Sequence, residues 1–276
     1  MKPGRALLGG AVVIYVGILL IAPIGAIAWS ALRSGPAAFL RALAGSGGGF
    51  ALLLSIGLAA LAVVVNTVFG VVVAWVLTRD EFRGRGLLNA AVDMPFAISP
   101  VIVGFALILL FGPQGWFGGL VRALHAKIVF AVPGMALATI FVSLPFVIRE
   151  VGLVLAESGH DQEEAAYTLG ATPFGAFWRV TLPNIRWGLL YGVLLTTARC
   201  LGEFGAVLVV SGGLAQVTET GTLFVFRSLE DRRDLGAYAM AMALAGMSIL
   251  LIAGMEILKR RRAGANPRQG GALRVA

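Results

Sequence analysis

Charge is scarce in this chain, and so are the residues that most chemistry needs. Asp, Glu, Lys and Arg make up 13% of the 276 residues, while 58% are hydrophobic. Soluble domains carry about 25% charged residues, so a water-surrounded globule is excluded. The single cysteine, Cys200, lies inside an apolar run, and one thiol excludes an internal disulfide framework. Two histidines, His125 and His160, fall in polar stretches without metal-ligand spacing. None of the three lysines, Lys2, Lys127 and Lys259, follows a glycine, so no GxxxxGK phosphate cradle exists. There is no GxSxG elbow, and a buried cysteine without a positioned histidine is no nucleophile. An enzyme reading has nothing to stand on. No cofactor or metal is expected on this chain. The net charge of +8 sits at the ends of apolar runs rather than along one face, which argues against nucleic acid.

Long apolar runs are what the chain has instead. A helix needs about 20 apolar residues to cross a bilayer. Residues 6–28, 51–78, 92–111, 128–148, 188–211 and 237–258 qualify, which predicts an all-α polytopic membrane protein with six spans. Ala26-Ile27-Ala28 has the form of a signal-cleavage site, but the run before it is longer than a signal core of about 7–15 residues. The first run is therefore read as a retained helix, with Trp29 at its far interface. Residues 1–262 form one transmembrane domain, and 263–276 read as a disordered cytoplasmic tail. Residues 33–50, 112–127 and 212–236 read as loops. Asn66, in mid-span, is expected to face another helix. With six spans, fourteen Lys and Arg residues fall on one side and seven on the other. The positive-inside rule then puts both termini in the cytoplasm, and the loop after the fourth span with them.

That loop, residues 157–187, is the one long polar interlude. Ser158 stands three residues before Asp161 in capping-box spacing, and Asp161, Glu163 and Glu164 crowd the first turns, where the helix dipole favours acids. Gly170 is a stop. Thr172-Pro173 opens a second short helix, expected to run to about Arg179 and to end at Leu182-Pro183. The reading is a two-helix knob outside the bilayer.

These residues also carry a family resemblance. Glu164-Ala165-Ala166, Gly170 and Leu182-Pro183 match the spacing of the EAA signature of ABC-importer permeases, with Val180 where isoleucine is usual. IVFAVPGMALATIFVSLPFVIREV and LPNIRWGLLYGVLLTTARCLGEFGAVLVVSG resemble sulfate/thiosulfate permeases, specifically the W-type subunit, over about residues 66–213. The resemblance implies the type I importer permease fold in the cell inner membrane, with the knob docking into an ATP-hydrolysing subunit. It implies as partners a homologous T-type permease subunit, two ATP-binding subunits and an extracytoplasmic sulfate-binding protein. ATP would be bound and hydrolysed on the partner. Molybdate, another tetrahedral dianion, remains an alternative cargo. From other classes, an ATP-independent channel or carrier leaves the EAA spacing unexplained, and a membrane-embedded enzyme lacks a catalytic constellation.

Two segments are candidates for the translocation pathway. Asp93, Pro95 and Pro100 interrupt the third run, and helix breakers at membrane depth are tolerated where backbone is buried or lines a cavity. Residues 96–104 are therefore a pathway candidate, with Ser99 and Pro100 foremost; the alternative is a plain proline kink. Arg199 and Glu203 lie within the fifth run at i and i+4, which predicts a shared helical face continued by Gly192 and Thr196. A charge at bilayer depth costs about 2.5–3.5 kcal/mol, so such residues face an interior or a wet path. They form either an anion-handling pair or an ion pair that only holds the bundle. The run at 230–234, EDRRD, is either a solvated loop or a contact for a delivery protein.

Overall fold

The computed structural model describes residues 3–45 and 47–265. Among them, helices α1 (Pro3–Leu32), α2 (Pro36–Ala44), α3 (Gly48–Arg79), α4 (Arg85–Ala97), α5 (Pro100–Phe111), α6 (Gly118–Ala123) and α7 (Val132–Ser158) make up the first part. The second part holds α8 (Asp161–Thr168), α9 (Pro173–Ala176), α10 (Leu182–Leu201), α11 (Gly205–Ser211), α12 (Gly221–Glu230) and α13 (Asp234–Ala265). Four helices are continuous candidates for spans: Gly9–Leu32, Gly48–Arg79, Val132–Ser158 and Asp234–Ile257. The remaining two expected spans are bent pairs, α4–α5 at 113° and the helix ending at Leu201 with α11 at 55°, which bring the number to six if each pair is one span.

The centre is the trio α3, α7 and α10. Lipid tails are as apolar as leucine, so helices in a bilayer associate by close packing and polar contacts. Val147 of α7 is the packing centre. A Cβ on Gly70 of α3 would lie 2.9 Å from Val147 Cγ1, and one on Gly192 of α10 would lie 2.9 Å from Val147 Cα. One core cluster, with Met135, Val142, Val207 and Val210, holds α7 to α5 and α11; a second, with Val71, Val151, Leu155 and Ile185, lies toward the knob. Between them is Asn66, fully buried, as expected against another helix. Its amide donates to Ile140 O (3.0 Å) and Ser143 Oγ (2.8 Å) on α7. Around the trio run α13 and, outside it, α1, whose apolar span is unburied.

Several sequence expectations are corrected. Asp93 and Pro95 do not interrupt the third span, since both lie inside α4; the expected break comes after Ala97, where Ile98 turns to extended backbone before Pro100 restarts the helix. The segments read as loops contain α2, α6 and α12, and α12 buries Leu223 and Phe224 against the core. The fourth span continues to Ser158, whose hydroxyl donates back to Val154 O at 2.7 Å instead of capping α8. Gly192 and Thr196 do not line a path with Arg199; both are buried in the trio. The last helix runs past Arg262 to Ala265, and the rest of the expected tail lies outside the described residues.

Packing at Val147 has a direct test. Gly192→Leu overfills the α7–α10 contact and should cost about 1–3 kcal/mol of stability. Thr196→Val removes a buried hydroxyl that has no partner and should cost little or nothing. Thermal unfolding of the detergent-solubilised protein separates the two; equal losses would contradict this packing.

Candidate functional site: paired helix breaks and a two-helix knob

Residues Gly202, Glu203 and Phe204 interrupt the fifth span. Gly202 ends α10 and α11 restarts at Gly205. Glu203 is therefore not on the helical face of Arg199 but in the break itself. Its buried carboxylate does two things. Oε2 pairs with Arg199 Nη1 at 2.7 Å, and Oε1 accepts the Ala206 amide at 3.1 Å, which satisfies a donor at the new helix start. The Arg199 side chain keeps 31% of its exposure while that of Glu203 keeps 3%. The pair is thus a fixed anion with a guanidinium turned toward open space.

The second break, before Pro100, lies against the first. A Cβ on Gly205 would sit 3.2 Å from Pro100 Cβ, tighter than most such contacts, so a side chain there would press the two segments apart by a few tenths of an ångström. Ser99 is exposed at the start of α5 and its side chain makes no capping bond. The break holding Ser99 and Pro100 therefore adjoins the one holding Glu203, with Arg199 paired to Glu203.

Sequence reasoning missed α12, which pins this junction from a third side. Thr222 Oγ1 donates to Glu203 O at 2.6 Å, and the Phe226 ring meets Phe204 at 5.5 Å. A second pair of the same design stands beside it: buried Glu219 accepts from the partly exposed Arg227, with Oε1 2.8 Å from Nε. No sequence signal marks this pair, since both residues lay in a segment read as loop. Of the charge run 230–234, Arg233 pairs with Asp231 in an exposed contact at 2.6 Å.

At the opposite end of α10 is the knob. Gly170 holds φ +84, a left-handed conformation that lets α8 turn into α9. Thr172 caps α9 by accepting the Gly175 amide at 3.2 Å. Leu182-Pro183 does not end this helix. The chain passes through a π-helical turn, Phe177–Thr181, in which the Leu182 amide reaches back to Phe177 O. Proline lacks an amide and crowds the preceding turn, and the widened turn accommodates it, so α9 runs on into α10. Glu164, Ala165 and Gly170 are exposed, Ala166 is half-buried, Leu182 packs on the core and Pro183 is exposed at the foot. Leu169 (88% exposed) and Phe174 (74%) add an exposed apolar surface, readable in the sequence as large apolar residues inside a polar interlude.

Burial pushes the Glu219 carboxyl above its ordinary value, against the opposing pull of Arg227. A carboxylate whose folded pKa is raised contributes stability that is present below its unfolded pKa and lost as pH rises through the folded one. Hydrogen-exchange protection of α12 should therefore fall as pH rises through that window, and Glu219→Gln should flatten the dependence. Protection that increases with pH in the same window would contradict the assignment.

Residues 66–264 match the model of the family described as binding-protein-dependent transport system inner membrane component. The chain is 47% identical to the sulfate transport system permease protein CysW of Synechocystis sp., over 90% of each chain. It is 36% identical to the sulfate transport system permease protein CysT of Escherichia coli, over 94% of each. Its fold matches a chain of a bacterial alginate ABC transporter in complex with an alginate-pentasaccharide-bound periplasmic protein. The TM-score is 0.76 at 17% identity, covering 93% of both chains.

Proposed function

Because the chain belongs to the family of binding-protein-dependent transport system inner membrane components, it is a membrane permease subunit of an ABC importer, and we propose that its cargo is sulfate. The observation that carries the proposal is the meeting of two helix breaks at Pro100 and Gly205, with the Arg199 guanidinium held beside them by Glu203. Sulfate is a dianion, and crossing a low-dielectric interior requires a compensating charge. Arg199 supplies it, Glu203 moderates it, and the exposed Ser99 hydroxyl is a further donor. Thiosulfate has the same charge and nearly the same shape.

Energy enters at the other end. The exposed knob, with Glu164, Ala165, Ala166 and Gly170, docks on an ATP-binding subunit, two of which serve the complex. The second permease is a T-type homologue, in keeping with the likeness to both CysW and CysT. A periplasmic sulfate-binding protein delivers the anion to the other face. Both termini and the knob lie in the cytoplasm, on the side richer in Lys and Arg. Closure of the ATPase dimer moves the knobs, and the attached spans open outward.

Two experiments test this. The space around Gly170 is open, so only its backbone conformation matters. Gly170→Asn, which tolerates the left-handed region, should keep most labelled-sulfate uptake, while Gly170→Val should lose it with the protein still inserted. Equal uptake by the two variants removes the knob from coupling. For the pathway, Arg199→Gln should abolish uptake. The double variant Arg199→Gln/Glu203→Gln leaves no unpaired buried charge and should recover folding, with uptake still absent. Recovered uptake in the double variant rejects an anion role for Arg199.

A further inference from the structure

The knob has no core of its own. Helix α9 runs on into α10, but α8 has only eight residues, a length at which an isolated helix does not hold in water, and it joins α9 through the turn at Gly170. A push on the exposed Leu169 and Phe174 would tilt or melt such a piece unless something fixed it to the spans. Glu163 provides the fixing point. It is buried, whereas Glu164, the first residue of the EAA signature, is exposed.

The Glu163 carboxylate gathers three contacts. Oε2 stands 3.0 Å from Arg79 Nε, and Oε1 accepts from Arg79 Nη2 at 3.2 Å and from Thr181 Oγ1 at 2.7 Å. The remaining guanidinium nitrogen of Arg79, Nη1, donates to Leu155 O at 3.1 Å. Both side chains of the ion pair are over nine-tenths buried. One pair therefore joins the last residue of α3, the final turns of α7, the first turn of α8 and the π turn that leads into α10. Beside it, Trp75 of α3 stacks on Phe177 of that turn, with ring centroids 4.9 Å apart.

Stability alone does not account for the charges. A buried ion pair recovers little more than its desolvation cost, and apolar residues of similar volume hold a fold as well or better. What the pair offers instead is direction: a planar guanidinium fork fixes distance and angle together, where apolar contacts permit sliding. We propose that Arg79 and Glu163 are positioning residues for transport, locking the knob to α3 and α7 so that motion imposed by the ATPase reaches the spans. This rests on the reading of the knob as the ATPase dock.

The test uses the complete complex in proteoliposomes, with three readouts: ATPase retained on the permease, labelled-sulfate uptake, and ATP hydrolysed per sulfate moved. Arg79→Lys keeps the charge but loses the fork. The double variant Arg79→Met/Glu163→Leu replaces the pair by apolar bulk. Both should retain the ATPase, and both should raise the ATP consumed per sulfate roughly tenfold. A wild-type ratio in the apolar double variant overturns the proposal, because the pair would then be a replaceable strut. So does loss of the ATPase in Arg79→Lys together with a wild-type ratio in the double variant. Phe174→Asp, on the exposed face, separates the underlying reading. If it retains the ATPase and the ratio, the knob is not the dock. If it loses the ATPase while the Arg79 variants stay coupled, only the positioning role fails.

Discussion

Val147 fixes how near three helices can come, and the knob and the paired breaks at the two ends of α10 depend on that spacing. It is clasped between Gly70 and Gly192, with no room for a side chain on either neighbour. Without a hydrophobic force between helices in lipid, such close approach is what dispersion and packing have to work with. The trio α3–α7–α10 is therefore stiff in its middle. At one end α10 stops at Gly202 and hands over to α11; at the other it begins inside the knob. A stiff α10 is a continuous element from the π turn to the paired breaks, and displacement at its foot has somewhere to go.

The breaks obey a second constraint. Backbone that leaves a helix at membrane depth exposes amides and carbonyls that lipid cannot satisfy. Here the two breaks lie against each other, and α12 covers the one after α10. Glu203 takes the Ala206 amide, Thr222 takes the Glu203 carbonyl, and the Pro100 segment closes the gap against Gly205. The arrangement satisfies backbone groups of the second break with the polar side chains of Glu203 and Thr222.

Much of this was legible in the sequence, and what was not has identifiable causes. Spans announce themselves through long apolar runs, and the knob through Gly170, Thr172-Pro173 and a cluster of acids. The bend before α5 was signalled by Pro95 and Pro100, though not its 113° size, because neighbours decide how far a released turn swings. The bend after Leu201 was missed: Gly202 inside an apolar run reads equally well as a packing residue. Helix α12 was hidden because its ends are polar and its buried face is short. The Arg79–Glu163 pair spans 84 positions, and no local pattern reports a contact at that separation. Leu182-Pro183 misled for a local reason. A proline after a short helix reads as its end, and only the backbone reveals the wide turn that carries the helix past it.

The two ion pairs near the breaks share one electrostatic design. In each, the carboxylate is buried and the guanidinium is partly open: side chains keep 3% and 31% for Glu203 and Arg199, and 2% and 27% for Glu219 and Arg227. The anion is the fixed member and the cation faces outward. A lone guanidinium in this setting would attract a dianion strongly, since Coulomb attraction grows as the dielectric falls. Attraction of that strength opposes release, and transport needs both capture and release. A buried carboxylate within contact distance offsets part of the pull and gives the guanidinium a resting partner when no anion is present. Turned the other way, with the arginine buried and the glutamate open, the same two charges would repel the cargo. On the proposal that an anion passes this junction, the order of burial therefore matters more than the presence of the pair.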